Sequence, residues 1–418
     1  MTERLAVGID VSKGKSTVAI VTYDGEVIRK PFDVKHTNSD LKDLIKELKS
    51  YDGEVKAVME CTGRYYEPIA RRLSGAGIFV SAVNPKIIKN YGTRDLRSSR
   101  NKTDKIDSMK IADFTHHEWL KLREYSAMDD LREQLKILNT QYDFYDRQAT
   151  ACKNNLKSLV DTTFPGCYSL LNYSTPAKAD GHKKWVDFVR TFYHAECVSS
   201  LSRNKFEERY RKFCKDNRYN YDEDTCRKLY ETAKEAVPIM PKDMITKNII
   251  ISAADQLISV SSTLRSIGTR MNEVASQLPE YDIVMSMDGV GTTLGPQLMA
   301  EIGDVSRFKR RGQLTAYAGV DPGTNQSGDH NSESVSTTKY GSPRLRKALF
   351  NVMDSKIKRA PAGDPVYEHM NKLRAKGKDY YVYMTAGSNK FLRIYYGKIK
   401  EYLKSLEQPA SEEDSSEE

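Results

Sequence analysis

The chain has 418 residues, 39% hydrophobic and 29% charged, which is too long for one compact core and points to two or three domains. No stretch approaches the roughly 18 apolar residues of a membrane-spanning helix, and the opening MTERLAVGID lacks the basic-then-apolar pattern of an export leader. A net charge of +9, reached in spite of the acidic stretch from Ser411 to Glu418, favours a polyanionic partner, and six scattered cysteines without a CxxC pair favour a reduced, cytoplasmic setting.

The first segment reads as strands. Arg4 to Asp10 and Ser16 to Tyr23 are apolar-rich and β-branched, with Ser12-Lys13-Gly14-Lys15 as a turn between them, and a third strand is predicted around Glu26 to Val34. A helix follows from about Ser39 to Ser50, because Leu41, Leu44, Ile45 and Leu48 fall at helical spacing behind the cap residues Asn38 and Ser39. Strands near Lys56 to Met59 and Ile78 to Val83 flank a second helix that ends at Gly75 to Gly77. The order β-β-β-α-β-α-β is that of the ribonuclease H fold.

A basic loop is predicted from Lys86 to Arg100, and Thr103 starts a helix running to about Trp119. In the middle of the chain Leu131, Leu135, Leu138, Tyr142 and on to Leu159 alternate steps of four and three, and Ile250 to Leu278 repeat the pattern. Two such seams predict coiled-coil arms, paired with each other or with a partner chain. Between them, about 161 to 240, lies an aromatic and basic helical insert. The expected domains are thus 1–122, 123–279 and 280–406, with a tail from 407 to 418 too charged to fold.

Four acids stand where chemistry can use them. Asp10 is placed at the end of the first strand, in GIDVSK, and Glu60 at the corresponding end of a later one, in VMECTG. Asp104 and Asp107 lie three apart on one helix face. Each alone reads as a turn or cap residue. Together they can converge into the hard oxygen set that a two-metal phosphoryl-transfer site needs, in which two Mg²⁺ about 3.5–4 Å apart clamp attacking and leaving oxygens. Lys102 and Lys105 beside them, with Lys13, Arg97 and Arg100, are the matching phosphate contacts, solvated surface charge being the plainer reading.

In the last domain Gly289-Val290-Gly291 has the turn of a helix-hairpin-helix, where backbone N–H groups can hold a phosphate. Arg310 and Arg311 follow, then the Gly/Asn/Ser-rich loop from Gly323 to Gly328, then Arg344, Arg346 and Lys347. A serine in a glycine loop near cations is one way to build a phosphodiester nucleophile, though turn chemistry explains the same composition.

With these motifs in order, GIDVSK, VMECTGRYYEP, RNKTDKIDSMKIA, MDGVGTTLGPQLMAEIGD, RFKRRGQLTAYAGVDP, QSG and GSPRLRKAL, the chain resembles the IS110/IS1111 family of DEDD transposases over nearly its full length. The resemblance implies a RuvC-like first domain, with Asp10, Glu60, Asp104 and Asp107 as the family's D-E-D-D carboxylates holding Mg²⁺, or Mn²⁺ in its place. It implies a serine nucleophile, best matched by Ser327 of QSG and less well by Ser336 and Ser342, that forms a covalent phosphoserine while DNA strands are cut and rejoined. It also implies donor and target DNA as partners, a structured RNA encoded beside the gene, and a homodimer or homotetramer.

Other readings compete. A metal-only, structure-specific nuclease needs the first domain alone and leaves the serine loop unexplained. An inactive nucleic-acid-binding scaffold accounts for charge and helices but not for all four acids. An actin-like or sugar-kinase reading of Asp10, Ser12 and Gly14 lacks a second phosphate loop. A zinc site of His194, Cys197, Cys214 and Cys226 has irregular spacing, and scattered core cysteines explain it better.

Overall fold

In a computed structural model of the chain, residues 4–22, 24–61, 63–92, 103–125, 128–171, 178–321, 326–327, 330–331, 337 and 341–407 are described. The chain divides into two compact units, Met1–Ala127 and Met128–Glu418. Arg97, Arg100, Lys102, Ser336 and the acidic tail lie outside the described residues. Among the described residues no helix is long and apolar enough to cross a membrane.

The first unit begins with three antiparallel strands, β1 (Arg4–Ser12), β2 (Lys15–Thr22) and β3 (Val27–Lys35). Helix α1 (Asn38–Lys49), strand β4 (Glu54–Glu60), helix α2 (Glu67–Gly75) and strand β5 (Phe79–Val83) follow, then α3 (Pro85–Gly92) and α4 (Asp104–His117). The sheet order is β3-β2-β1-β4-β5, with β4 and β5 parallel to β1. This is the ribonuclease H arrangement expected from the element order. Central β1 is covered on both faces, so its first half is continuously apolar. Val7, Ile9, Val18 and Ile20 pack against Leu41, Leu44 and Leu73 of α1 and α2, whereas Ala6 and Val21 pack against Ala112 of α4 on the other face.

Small corrections follow the caps. Thr37, not Asn38 or Ser39, caps α1, its side chain accepting from the Asp40 N–H. The predicted basic loop is helical over 85–92: Pro85 opens α3, and Ile88 is buried with Val58, Ile111 and Phe114. Lysines between apolar residues had disguised a helix with one buried side.

The second unit is helical: α5 (Asp130–Thr163), α6 (Cys167–Leu171), α7 (Lys184–Thr191), α8 (Glu196–Ser199), α9 (Arg203–Asp216), α10 (Glu223–Glu235), α11 (Met244–Ala275), α12 (Tyr281–Met285), α13 (Leu294–Ile302) and α14 (Arg311–Ala318). A two-residue ladder, β6 (Gln326–Ser327) with β7 (His330–Asn331), precedes α15 (Pro343–Arg359), α16 (Pro365–Ala375) and α17 (Tyr380–Glu407). The two heptad segments are the long helices α5 and α11, and they pack on each other within the chain.

Their seam is not uniform, contrary to the sequence pattern. At one end Leu135, Met271 and Leu278 join a core with Leu298, Leu349 and Leu392. At the other, Leu156, Val160 and Ile250 join Phe188, Phe206 and Tyr210 of the insert. Between these ends Tyr145, Ala149, Val260 and Leu264 are only half-buried. The break expected near residue 279 has no counterpart, because residues on both sides of it fill one core.

Candidate functional site

The carboxylate face of the first unit is built by strand register. Asp10 pairs with Thr17 of β2, and Thr17 with Asp33 of β3. On the other side the last β1–β4 pair is Ile9 with Met59, so Asp10 and Glu60 come next, side by side on strands about 4.8 Å apart. Asp10 is not at the end of its strand, as expected, but at the point where β1 stops pairing with β4; the hairpin with β2 carries β1 on to Ser12.

Alternation along the strands decides the face. Ala6 and Gly8 lie under α4, so Asp10 points to that side. Val58 packs against Ile111 and Phe114 of α4, so Glu60 does too. Ser108 and Ala112 both lie over Gly8, and Trp119, just past the end of α4, comes back to Arg4 at the start of β1, which makes α4 run antiparallel to β1. Four helical residues rise about 6 Å and two strand residues about 6.6 Å. Asp104, one turn before Ser108, is therefore brought toward the Asp10 end of the sheet, and Asp107 lies on the same first turn of the helix between Asp104 and Ser108. The helix starts there because the Thr103 side chain accepts from the Ile106 N–H at 3.3 Å. All four expected acids thus share one face and one end of it.

They do not close into a metal cage in this structure. Among the described residues no three His, Cys, Asp or Glu side chains come together closely enough to hold a metal ion. The donors fit a hard divalent cation in chemical type and in sharing a face, and the structure supplies no coordination geometry beyond that.

Gly8, Thr17, Asp33 and Lys15, to which motif reading gave no role in the site, also shape this face. Gly8 allows α4 its close approach, since a Cβ there would stand 2.1 Å from the Ser108 carbonyl oxygen. Asp33 accepts from Thr17 Oγ1 at 2.8 Å and from Lys15 Nζ at 3.0 Å. The Thr17 hydroxyl and the Lys15 ammonium hold the Asp33 carboxyl below its ordinary range. Lys15 is in turn raised by its bond to Asp33, with a smaller contribution from the Asp104 charge. A β-hairpin register, read from Asp10 across to Asp33, was the available signal. Lys13 and Lys105, both expected phosphate contacts, are exposed beside this face.

In the second unit several expected contacts prove to have internal partners. Ser342 caps α15: its hydroxyl accepts from the Leu345 N–H at 3.2 Å and donates to Glu301 Oε2 at 2.8 Å. Asn139 of α5 donates to the other Glu301 oxygen at 2.8 Å, so a buried carboxylate ties three helices together. Arg346 donates to the carbonyls of Ala318 and Gly341, a close contact made possible by Gly319 and Gly341. Lys347 pairs with Asp143 and Asp146 at 3.3 and 2.9 Å, and Arg344 lies 3.6 Å from Asp143. These cations hold α15 to α5, which the sequence, lacking the fold, could not reveal. By contrast Arg310 and Arg311 are exposed at the start of α14.

Gly289 has φ +78° and is buried against Lys356 and Val352, whereas Gly291 opens to solvent before α13. Only the second glycine of the hairpin therefore offers backbone to a ligand. Of Ser327 the backbone is described, paired with His330 across the ladder. His194 uses both ring nitrogens, Nε2 with the Met240 carbonyl at 3.0 Å and Nδ1 with the Glu196 N–H at 3.1 Å.

Comparison with known proteins adds the following. A family model named for the DEDD transposases of IS110 matches residues 7–165, and a second, described as Transposase IS116/IS110/IS902 family, matches residues 281–368. The chain is 22% identical over 383 residues to the insertion element IS116 uncharacterized 44.8 kDa protein of Streptomyces clavuligerus, covering 90% of this chain and 89% of that one. It is 22% identical over 284 residues to the insertion element IS110 uncharacterized 43.6 kDa protein of Streptomyces coelicolor, covering 68% and 67%. Among solved structures, T. thermophilus RuvC in complex with Holliday junction substrate matches at 14% identity and a TM-score of 0.21, over 29% of this chain and 96% of that one.

Proposed function

The chain belongs to the IS110 family of transposases, and on that premise we propose that it cuts and rejoins DNA strands by metal-assisted attack of Ser327 on a phosphodiester. What supports the metal-dependent part is that two strands and one helix contribute Asp10, Glu60, Asp104 and Asp107 to one face of the sheet. Those residues would hold Mg²⁺ or Mn²⁺, which when bound supplies charge stabilisation to the phosphoryl group. The carboxylates would hold the metal, and exposed Lys13 and Lys105 neutralise the phosphates of the strand around it.

Ser327 is carried over from the family, and one observation favours it over Ser342, whose hydroxyl is taken up by Glu301 and the α15 cap. In this reading a bond forms between Ser327 Oγ and phosphorus as the bond to the departing sugar oxygen breaks. The phosphodiester energy stays in the covalent link, so a new hydroxyl can reverse the step without an external energy source. A structured RNA encoded beside the gene, and assembly as a homodimer or homotetramer, belong to the same reading by family resemblance.

The test is strand transfer on DNA carrying the element ends. Asp10→Asn and Glu60→Gln are expected to abolish it, as is removal of divalent metal, while DNA binding persists because the phosphate-contacting cations remain. Stopping the parent reaction with denaturant is expected to leave DNA attached to protein. Undiminished strand transfer by Asp10→Asn overturns the metal assignment, and products wholly free of protein return the chain to a water-using nuclease.

A further inference from the structure

Of the three cations in the run Arg344-Leu345-Arg346-Lys347, two are already matched by carboxylates. Lys347 pairs with Asp143 and Asp146, and Arg344 lies 3.6 Å from Asp143. Arg346 differs. It is half-buried, and among the described residues its partners are two carbonyls and no carboxylate: Nη1 donates to Ala318 at 3.1 Å and to Gly341 at 2.9 Å. Burial holds Arg346 below its ordinary pKa with nothing to raise it, whereas at Lys347 burial, which lowers the pKa, is outweighed by Asp146 and Asp143. A guanidinium taken partly out of water without an anion is unfavourable in itself, and a bound anion offsets that cost.

The fold makes room for this cation at one place. Gly319 has φ +64°, and a Cβ there would stand 2.8 Å from Arg346 Nη1 and 2.6 Å from the Gly341 nitrogen. A Cβ on Gly341 would stand 2.0 Å from the Tyr317 carbonyl oxygen. Two glycines thus bring together the ends of the segment 320–340, which carries Ser327, and Arg346 Nη1 bridges its neck. The rest of the fork is left over. Arg346 Nε and Nη2 have no partner among the described residues, and neither is among the side-chain nitrogens sealed from solvent without one. Those two N–H groups form the edge by which a guanidinium grips a pair of phosphate oxygens.

We propose that Arg346 receives the phosphate that Ser327 attacks, with Nε and Nη2 on its two non-bridging oxygens while Nη1 fixes the neck of the serine-bearing segment. The proposal rests on the serine reading above. The bonds that form and break are those at phosphorus already described; no bond or proton changes at Arg346, which stays positive and offsets the charge gathered on the two oxygens. One side chain thereby ties the position of the segment to the position of the phosphate.

The test uses the full chain. In EDTA, where no strand is cut, anisotropy of a fluorescein-labelled DNA duplex carrying an element end gives the slope of log affinity against log salt. Arg346→Met is expected to make that slope shallower by about 0.9, one phosphate contact on a duplex, and, with metal present, to slow adduct formation at saturating DNA about 100-fold. Arg346→Lys keeps the charge without the fork, so it should keep the parental slope and recover only part of the rate. Arg359→Gln, exposed at the other end of α15, should change neither. A mere neck clamp predicts that Arg346→Met loses stability and rate but keeps the parental slope, and that result overturns the proposal. A shallower slope with a parental adduct rate puts Arg346 on some other phosphate and overturns it as well. Should Arg346→Met fail to fold, phenylglyoxal on the unaltered protein decides: Arg346 is expected to be modified in the free protein and protected by the duplex, and equal modification with and without DNA overturns the proposal. Failure of the serine reading shows separately, as a parent protein that forms no adduct.

Discussion

Gly8 on β1 lies directly beneath Ser108 on α4: a Cβ on Gly8 would stand 2.1 Å from the Ser108 carbonyl oxygen and 2.2 Å from the Ala112 nitrogen. Only a hydrogen fits at this crossing, and the crossing sets how near the first turn of α4 comes to Asp10. Gly8→Ala is therefore expected to lift α4 from the sheet. The overpacking should cost about 1–3 kcal/mol, seen as a lower denaturation midpoint of the first unit, and strand transfer should fall with it, since Asp104 and Asp107 move away from Asp10 and Glu60. A Gly8→Ala protein with parental unfolding and parental strand transfer would show that this contact does not set the site.

Ser342 and Ser327 are separable by experiment. Removing the Ser342 hydroxyl takes away a helix cap, worth about 1 kcal/mol, and leaves one oxygen of buried Glu301 without its donor, a further cost of about 1–3 kcal/mol. Ser342→Ala should accordingly unfold at lower denaturant, yet its folded fraction should still form the covalent DNA adduct. Ser327→Ala should form none. Peptide mapping of the trapped adduct by mass spectrometry gives the answer directly, and an adduct on Ser342 would transfer the nucleophile to it.

His36 makes the first unit sensitive to acid. Its Nε2 lies 2.8 Å from the hydroxyl of fully buried Ser16, and desolvation lowers its pKa below the ordinary histidine value. The unfolded chain then binds the proton more readily than the folded one, so stability is full above the unfolded value of about 6.5 and is lost as pH falls through the lower folded value. The thermal midpoint of the chain should drop on acidification through that window, and His36→Gln should flatten that part of the profile. An identical pH profile in the variant would assign the acid sensitivity to other groups.

Much of the architecture was legible in order and spacing. The three-strand opening, the caps at Thr103 and near residue 37, and the heptad steps from Leu131 and from Ile250 each depend on neighbours within a few residues, where local backbone and burial preferences act. That Asp10, Glu60, Asp104 and Asp107 fall on adjacent strands and the start of one helix was legible for a similar reason, and their metal-holding role remains a proposal.

What the sequence could not decide was which distant groups would meet. It marked Arg344, Arg346 and Lys347 as cations beside a serine loop, but only the packing of α15 on α5 and the turn at Gly319 supplied carboxylate and carbonyl partners for them. It marked Ser342 as a hydroxyl in the same neighbourhood, but Glu301, forty-one residues away, turned it into a cap within a buried network. It carried a regular seam through both long helices, and only the two globular cores at their ends left the middle open. Composition and periodicity determine which face of an element is buried. The partner of a polar group is chosen when distant elements dock and each buried donor or acceptor must be satisfied by whatever lies opposite, a constraint with no expression in the order of residues along the chain.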